Sequence, residues 1–267
     1  MLKKRLIACL LWNNGYIVQS IGFRHTNSVG NAITAVDFFH TWAIDEIIIL
    51  DVSRDDAKKE NFFGIIQELS SRLFIPLTVG GKIKDTETMR RLFRMGADKI
   101  AINTEAVKNP LLIGQAAAMF GNQAVVVSID VKFENGEYEV YVAQGKERAG
   151  LDPVEWAKEA EKKGAGEIFL TSIDRDGSRK GYDLDITKSV SESVNIPVIA
   201  SGGVGEWQHL VDGIVLGKAD AVSAANIFHY FEQSTKKAKE YMLAKGIDIR
   251  KPVFYTIKTP RNPKYVV

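Results

Sequence analysis

The chain repeats itself at about half its length. Residues 46–55 read EIIILDVSRD and residues 167–176 read EIFLTSIDRD, an offset of 121 positions. At the same offset Ile75-Pro76 meets Ile196-Pro197 and Gly81 meets Gly202, while Asp98 and Asp220 continue the match with one residue of slippage. Within each half, short apolar runs alternate with longer periodic segments. The runs predict strands over 5–11, 46–51, 76–80, 99–102, 124–130, 167–171, 197–201 and 221–224. Most are apolar throughout rather than alternating, as parallel strands covered by helices must be. Helical periodicity falls between them, near 31–42, 60–73, 85–95, 110–120, 153–163, 186–194, 206–216 and 233–245.

A doubly wound open sheet also alternates strand and helix, but it provides no reason for a half-length repeat. Eight β–α units in two matching sets of four do have such a reason in a closed barrel, for which about 250 residues suffice. The expected fold is therefore α/β, a (β/α)8 TIM barrel built from two half-barrel repeats. Residues 1–267 form a single barrel domain, with 253–267 a C-terminal tail that holds two prolines and no helical period. That tail lies on the surface or contacts a partner. Asp85 and Asp152 suit helix N-caps, the latter followed by Pro153 at the first helical position, and Gly96 and Gly164 sit where C-caps belong. The stretch KFENGEYEVYVAQ (132–144) departs from the pattern. Its Asn135-Gly136 pair between alternating flanks predicts a hairpin inserted over the barrel mouth.

Composition removes several classes of function. Thirty-five basic against 33 acidic residues leave a net charge of +2, which gives no electrostatic reason to expect nucleic acid or a membrane as partner. No run approaches the ~20 apolar residues of a membrane helix. The basic start MLKKRLIACLL carries too short an apolar stretch for a secretory signal, and the single cysteine, Cys9, reads as a small buried hydrophobe in a reducing, cytoplasmic setting. His25, His40, His209 and His229 lack metal-ligand spacing, so no metal and no cofactor are expected; packing or surface positions suit them. Trp42, Trp156 and the FFHTW run fall at helical spacing, which indicates core packing.

Chemistry in such a barrel gathers at the C-terminal ends of its strands. Strand three ends in TVGGKI and strand seven in ASGGVG, glycine pairs that let backbone N–H groups approach an anion. With Asn103-Thr104 and Asp176-Gly177-Ser178 they indicate phosphate binding in both halves; tight-turn geometry alone is the plainer alternative. Asp130 closes strand five and is the candidate catalytic group, against a reading in which it merely fixes a loop; Asp51 and Asp176 stand at other strand ends. At the opposite end Arg5, Glu46, Lys99 and Glu167 start strands one, two, four and six. Turned inward, they would have to pair with one another, because isolated buried charges are too costly. Such a set is a structural ion layer or something more.

These stretches carry a resemblance over about residues 1–250. KRLIACL, DEIIILD, TVGGKI, GADKIAINTEAVKNP, FGNQAVVVSID, GAGEIFLTSIDRDGSRKGYD, IPVIASGG and ADAVSAANIFH resemble, in that order, the cyclase subunit family of imidazole glycerol phosphate synthase, HisF. The resemblance implies a glutaminase partner (HisH-like) docked on the N-terminal barrel face. It implies an ammonia gate at Arg5, Glu46, Lys99 and Glu167, with Asp98 beside the partner interface. It also implies a phosphorylated small-molecule ligand held by Gly81, Asn103, Thr104, Asp176, Gly177, Gly202 and Gly203, and Lys82 and Asn226 stand beside them as further candidate phosphate-binding residues. The family's acid/base pair is an aspartate at the end of strand one and another at the end of strand five.

Departures cluster at the mouth. Asp130 is present, but the strand-one position is Leu11, which cannot transfer a proton. Gln19 replaces a loop lysine, Lys82 a glycine and Asn226 a serine. A positioned acid or base contributes on the order of 10²–10⁴ in rate, so the loss of one member should cripple cyclisation. An intact gate with an altered mouth resembles paralogues that pass ammonia to a separate sugar amidotransferase, which builds an acetamidino group for surface polysaccharide. A genuine histidine-pathway cyclase and a non-catalytic conduit or scaffold are the alternatives.

Overall fold

The computed structural model describes residues 3–41, 43–54, 59–230 and 233–252. Trp42 and the tail 253–267 lie outside the described residues. The strands in chain order are β1 (Arg5–Asn13), β2 (Tyr16–Ile21), β3 (His25–Gly30), β4 (Glu46–Asp51), β5 (Leu77–Gly80) and β6 (Lys99–Ile102). They continue with β7 (Val125–Glu134), β8 (Glu137–Val142), β9 (Glu147–Arg148), β10 (Glu167–Ser172), β11 (Val198–Ser201) and β12 (Ala221–Ala224). Eight of them close a parallel ring in the order β1, β4, β5, β6, β7, β10, β11, β12, with β12 back on β1. This is the expected (β/α)8 barrel.

Strand alternation sorts the core into two parts. One set of side chains faces outward and packs beneath the helices, among them Leu6, Ala8, Leu10, Ile47, Ile49, Val125, Val127, Val222 and Ala224. The opposite set, Ile7, Cys9, Ile48, Ala101, Val126, Phe169, Ile199 and Ala221, forms a second cluster inside the ring. Strands buried on both faces explain why their sequences are apolar without alternating.

The expected caps form. Asp85 accepts from Thr88 N at 2.7 Å and opens the helix Thr86–Arg94. Asp152 accepts from Val154 N and Glu155 N at 2.9 Å each, with Pro153 at the first position of Pro153–Lys163, and Gly164 ends that helix at φ 107°. Trp156 is buried in the core.

The mouth differs from expectation at its first hairpin. The expected 132–144 insertion is present, with β7 running on to Glu134 and returning as β8 through Asn135-Gly136 at φ 55° and 89°. A second hairpin mirrors it. β1 continues to Asn13, turns at Asn14-Gly15 (φ 52° and 110°) and returns antiparallel as β2, with β3 added beside it. Positive φ at both central residues is what a two-residue hairpin turn requires, and Asn-Gly meets it cheaply. The half-barrel repeat therefore extends to the rim.

Candidate functional site

At the floor the four charged side chains face one another. Arg5 donates through Nη1 to Glu46 and through Nη2 to Glu167, each at 2.8 Å. Lys99 Nζ lies 3.0 Å from Glu46 Oε1 and 2.9 Å from Glu167 Oε2, so each cation bridges both carboxylates. Thr78 adds a hydrogen bond to Glu46 Oε1 at 2.8 Å. The result is a closed, neutral ring across the base of the bore. Burial opposes charge on Arg5, yet Glu167 and Glu46 outweigh it and raise its pKa further. The two glutamates are related by the half-barrel repeat; the two cations are not.

Around the ring, aspartates fasten the strand ends. Asp98 accepts from Leu77 N at 2.8 Å, and its repeat counterpart Asp220 accepts from Val198 N at 3.2 Å. Asp98 is exposed on this face and thus has a structural task of its own. Asp45 accepts from Leu6 N at 2.9 Å and pairs at 2.5 Å with Lys239, both deeply buried.

At the mouth, Asp130 Oδ2 accepts from Asn103 Nδ2 at 3.1 Å, and the same nitrogen donates to Ser128 O at 3.0 Å. Burial, helped by the nearby Asp176, pushes Asp130 up to about 7, a value suited to giving and taking protons near neutrality. Burial raises Asp176 too, against hydrogen bonds that lower it: Ser20 Oγ donates to it at 2.6 Å and Phe23 N at 3.2 Å. The β2–β3 hairpin is thus tied down on the β10 loop. Burial, with Asp176 and Asp130, pushes the Cys9 thiol up to about 12, which makes it inert.

The register fixes the counterpart of Asp130. Leu11 stands opposite Leu50 on β4, and Asp130 stands opposite Thr171 on β10. Leu50 and Thr171 are related by the 121-residue repeat. Leu11 therefore occupies the position that Asp130 holds in the other half, and it packs with Leu50 and Ala225 over the inner cluster. One side of the mouth is apolar and the other acidic.

The glycines answer to backbone crowding. A Cβ on Gly81 would lie 2.3 Å from Asp51 O, and one on Gly202 would lie 2.8 Å from Ser172 O. Asp51 and Ser172 are themselves repeat partners, so both glycines have the same reason. A Cβ on Gly177 would lie 2.7 Å from Ser20 O, and one on Gly203 would lie 2.1 Å from Gly181 O. Close chain approach accounts for these residues, so their identity alone does not report an anion site. Lys82 follows Gly81 in the left-handed region at φ 56°, with its Nζ 3.7 Å from Asp51 Oδ2. Asp51 is engaged by Ser53 N and Oγ at 2.9 and 2.5 Å, which makes it a loop-fixing acid. Thr104 Oγ1 accepts from Ala143 N at 3.0 Å, and Gln144 Nε2 donates to Val52 O at 3.1 Å, so the segment after β8 crosses the rim. Asn226 sits half-buried in the turn after β12. The structure thus gathers Asn103, Asp130 and Asp176 on one wall, with Lys82 beside Asp51.

The clamp of Ser20, Gly22 and Phe23 on Asp176 has no signal in the sequence beyond the Asn14-Gly15 turn. Gln19 is buried in that hairpin, and its Nε2 has no hydrogen-bond partner in the protein. His209 Nδ1 accepts from Gly205 N at 3.1 Å, a packing role as expected; the side chains of His25, His40 and His229 lie outside the described residues. Among the described residues no His, Cys, Asp and Glu group could hold a metal, and no helix is long and apolar enough to cross a membrane.

The chain is a two-fold repeated (β/α)8 barrel with a paired-ion floor and a carboxylate mouth. The family described as "Histidine biosynthesis protein" matches residues 5–234. A relative from Chloroherpeton thalassium (strain ATCC 35110 / GB-78), "Imidazole glycerol phosphate synthase subunit HisF", is 46% identical over 250 residues, covering 94% of this chain and all of the relative. The chain belongs to this family, as a HisF-type member.

Proposed function

We propose that the chain is the ammonia-receiving synthase subunit of a glutamine amidotransferase complex, docked on a HisH-like glutaminase by its N-terminal face. The observation that carries this is the closed ring of Arg5, Glu46, Lys99 and Glu167 beneath an apolar bore. A charged ammonium ion loses its hydration on entering such a bore and is excluded; neutral ammonia crosses at far lower cost. The paired ions can re-pair around a small polar molecule without leaving a carboxylate bare. Exposed Asp98 fits the rim of the docking face.

At the mouth, Asn103 holds Asp130, which is poised to exchange a proton with a ligand bound there. A phosphorylated small-molecule ligand is held by the loops around Gly81, Lys82, Asn103, Thr104, Asp176, Gly177, Gly202, Gly203 and Asn226. Leu11 supports an acceptor reaction other than two-carboxylate cyclisation, namely delivery to a sugar amidotransferase that makes an acetamidino group. The histidine-pathway cyclase is the second reading, favoured by 46% identity to a HisF subunit over that relative's whole length.

Two experiments separate these readings. Co-purification with the glutaminase and a stimulated glutamine hydrolysis support the ammonia role; failure of both removes it. Complementation of a histidine auxotroph then assigns the acceptor. Growth establishes the cyclase and ends the sugar reading, whereas no growth with an active glutaminase complex favours the sugar reading.

A further inference from the structure

The middle of the bore holds a polar group that neither the floor nor the mouth accounts for. On β12, Val222 and Ala224 belong to the outer core, while Ala221 belongs to the inner cluster. Alternation therefore turns Ser223 inward, and its partner in register on β1 is the inner residue Ile7. Barrel interiors stack in layers of four side chains drawn from alternate strands. Glu46, Lys99, Glu167 and Ala221 make one layer from β4, β6, β10 and β12, and two residues further along each strand lie Ile48, Ala101, Phe169 and Ser223. Large side chains face each other across one diameter of this layer. Ala101 and Ser223, both small, face each other across the other.

Ser223 is 0% exposed, and its Oγ has no hydrogen-bond partner in the protein. A buried hydroxyl in that condition destabilises a fold, whereas alanine, which the same wall uses at 221 and 225, would not. The other inner hydroxyl beside the floor, Thr78, is bonded to Glu46. We propose that Ser223 is a binding site for a small neutral hydrogen-bonding molecule, ammonia in the reaction above, half-way between floor and mouth. The hydroxyl can donate to the ammonia lone pair or accept an N–H, which replaces one of the water contacts given up at the ring. One hydroxyl cannot compensate a buried charge, so the site takes ammonia and not ammonium. This inference rests on the conduit reading.

The test compares Ser223→Ala and Ser223→Leu with wild type in the complex with the glutaminase. The readout is the ratio of glutamine-driven to ammonium-salt-driven product, together with the thermal midpoint of each variant. Ser223→Ala should keep or raise the midpoint, yet lower the ratio roughly tenfold, the cost of one hydrogen bond at a barrier. Ser223→Leu should lower the ratio further by filling the bore. A wild-type ratio in Ser223→Ala beside a blocked Ser223→Leu overturns the serine site and leaves the conduit standing. Wild-type ratios in both overturn the conduit itself. A crystal structure in ammonium chloride at alkaline pH should also place a peak within about 3.2 Å of Ser223 Oγ. A dry layer there would contradict the proposal.

Discussion

Replacing Lys99 by methionine isolates the charge of the floor ring, because the stem that packs along the bore remains. The ammonium lies 3.0 and 3.2 Å from the two oxygens of Glu46 and 2.9 Å from Glu167. Its removal leaves two carboxylates, with side chains 2% and 10% exposed, to share Arg5 alone. Breaking a buried pair costs about 3–5 kcal/mol. Lys99 keeps 16% of its side-chain exposure, so water softens the loss toward the lower limit, about 3 kcal/mol. In a chain of this size each kcal/mol moves the thermal midpoint by roughly 2–4 °C, which puts the expected fall at roughly 6–12 °C. The control is Lys99→Met with Glu167→Gln, which restores a neutral set and should recover more than half of the loss. Urea and thermal unfolding near pH 8 read both variants. A single variant that loses less than about 1 kcal/mol, or a double variant worse than the sum of its parts, would show that the four ions do not depend on one another.

Other expectations concern the mouth and the anchor beneath the barrel. Asp130 is pushed up to about 7, so folding favours its protonated form; the stability it adds is present below about 4 and is lost as pH rises through 7. Asp130→Asn, which mimics the protonated acid, should be more stable than wild type at pH 8 and equal to it near pH 4. A difference that stays constant across that window would contradict this assignment. Lys239→Met strands the carboxylate of Asp45 and should cost about 3–5 kcal/mol by urea unfolding, while the double change with Asp45→Asn should restore most of it. Leu11→Asp should lower stability at pH 8 by about 1–3 kcal/mol and confer ammonium-dependent cyclisation that the parent lacks. Full cyclase turnover by the parent would refute the weight placed on Leu11.

Much of the architecture is legible in the sequence. The 121-residue repeat and the unalternating apolar runs demanded a closed parallel ring, and strand-start positions alone brought Arg5, Glu46, Lys99 and Glu167 together. Buried charges leave few arrangements, which is why the ring was legible. The β2–β3 hairpin is not legible there, because YIVQSIGFRHTNSVG is short, mixed and without clean alternation; Asn14-Gly15 alone marks it. In the sequence Gly81 and Gly202 suggest anion cradles, and their crowding against Asp51 and Ser172 emerges only from chain geometry. The clamp on Asp176 joins residues 156 positions apart, a distance that no local pattern encodes. Leu11 as the counterpart of Asp130 was implied by resemblance, and the strand register supplies the physical reason.

The account as a whole turns on where the transferred nitrogen comes from. The complex of this chain with its glutaminase is given glutamine labelled at the amide nitrogen, in a large excess of unlabelled ammonium salt, and the isotope content of the aminated product is measured. Passage through the ring and the bore predicts product labelled nearly as fully as the glutamine, and labelling that falls when Lys99 or Ser223 is replaced. Product diluted to the isotope ratio of the bulk ammonium would mean that the nitrogen reaches the mouth through solvent, and that the barrel conducts nothing.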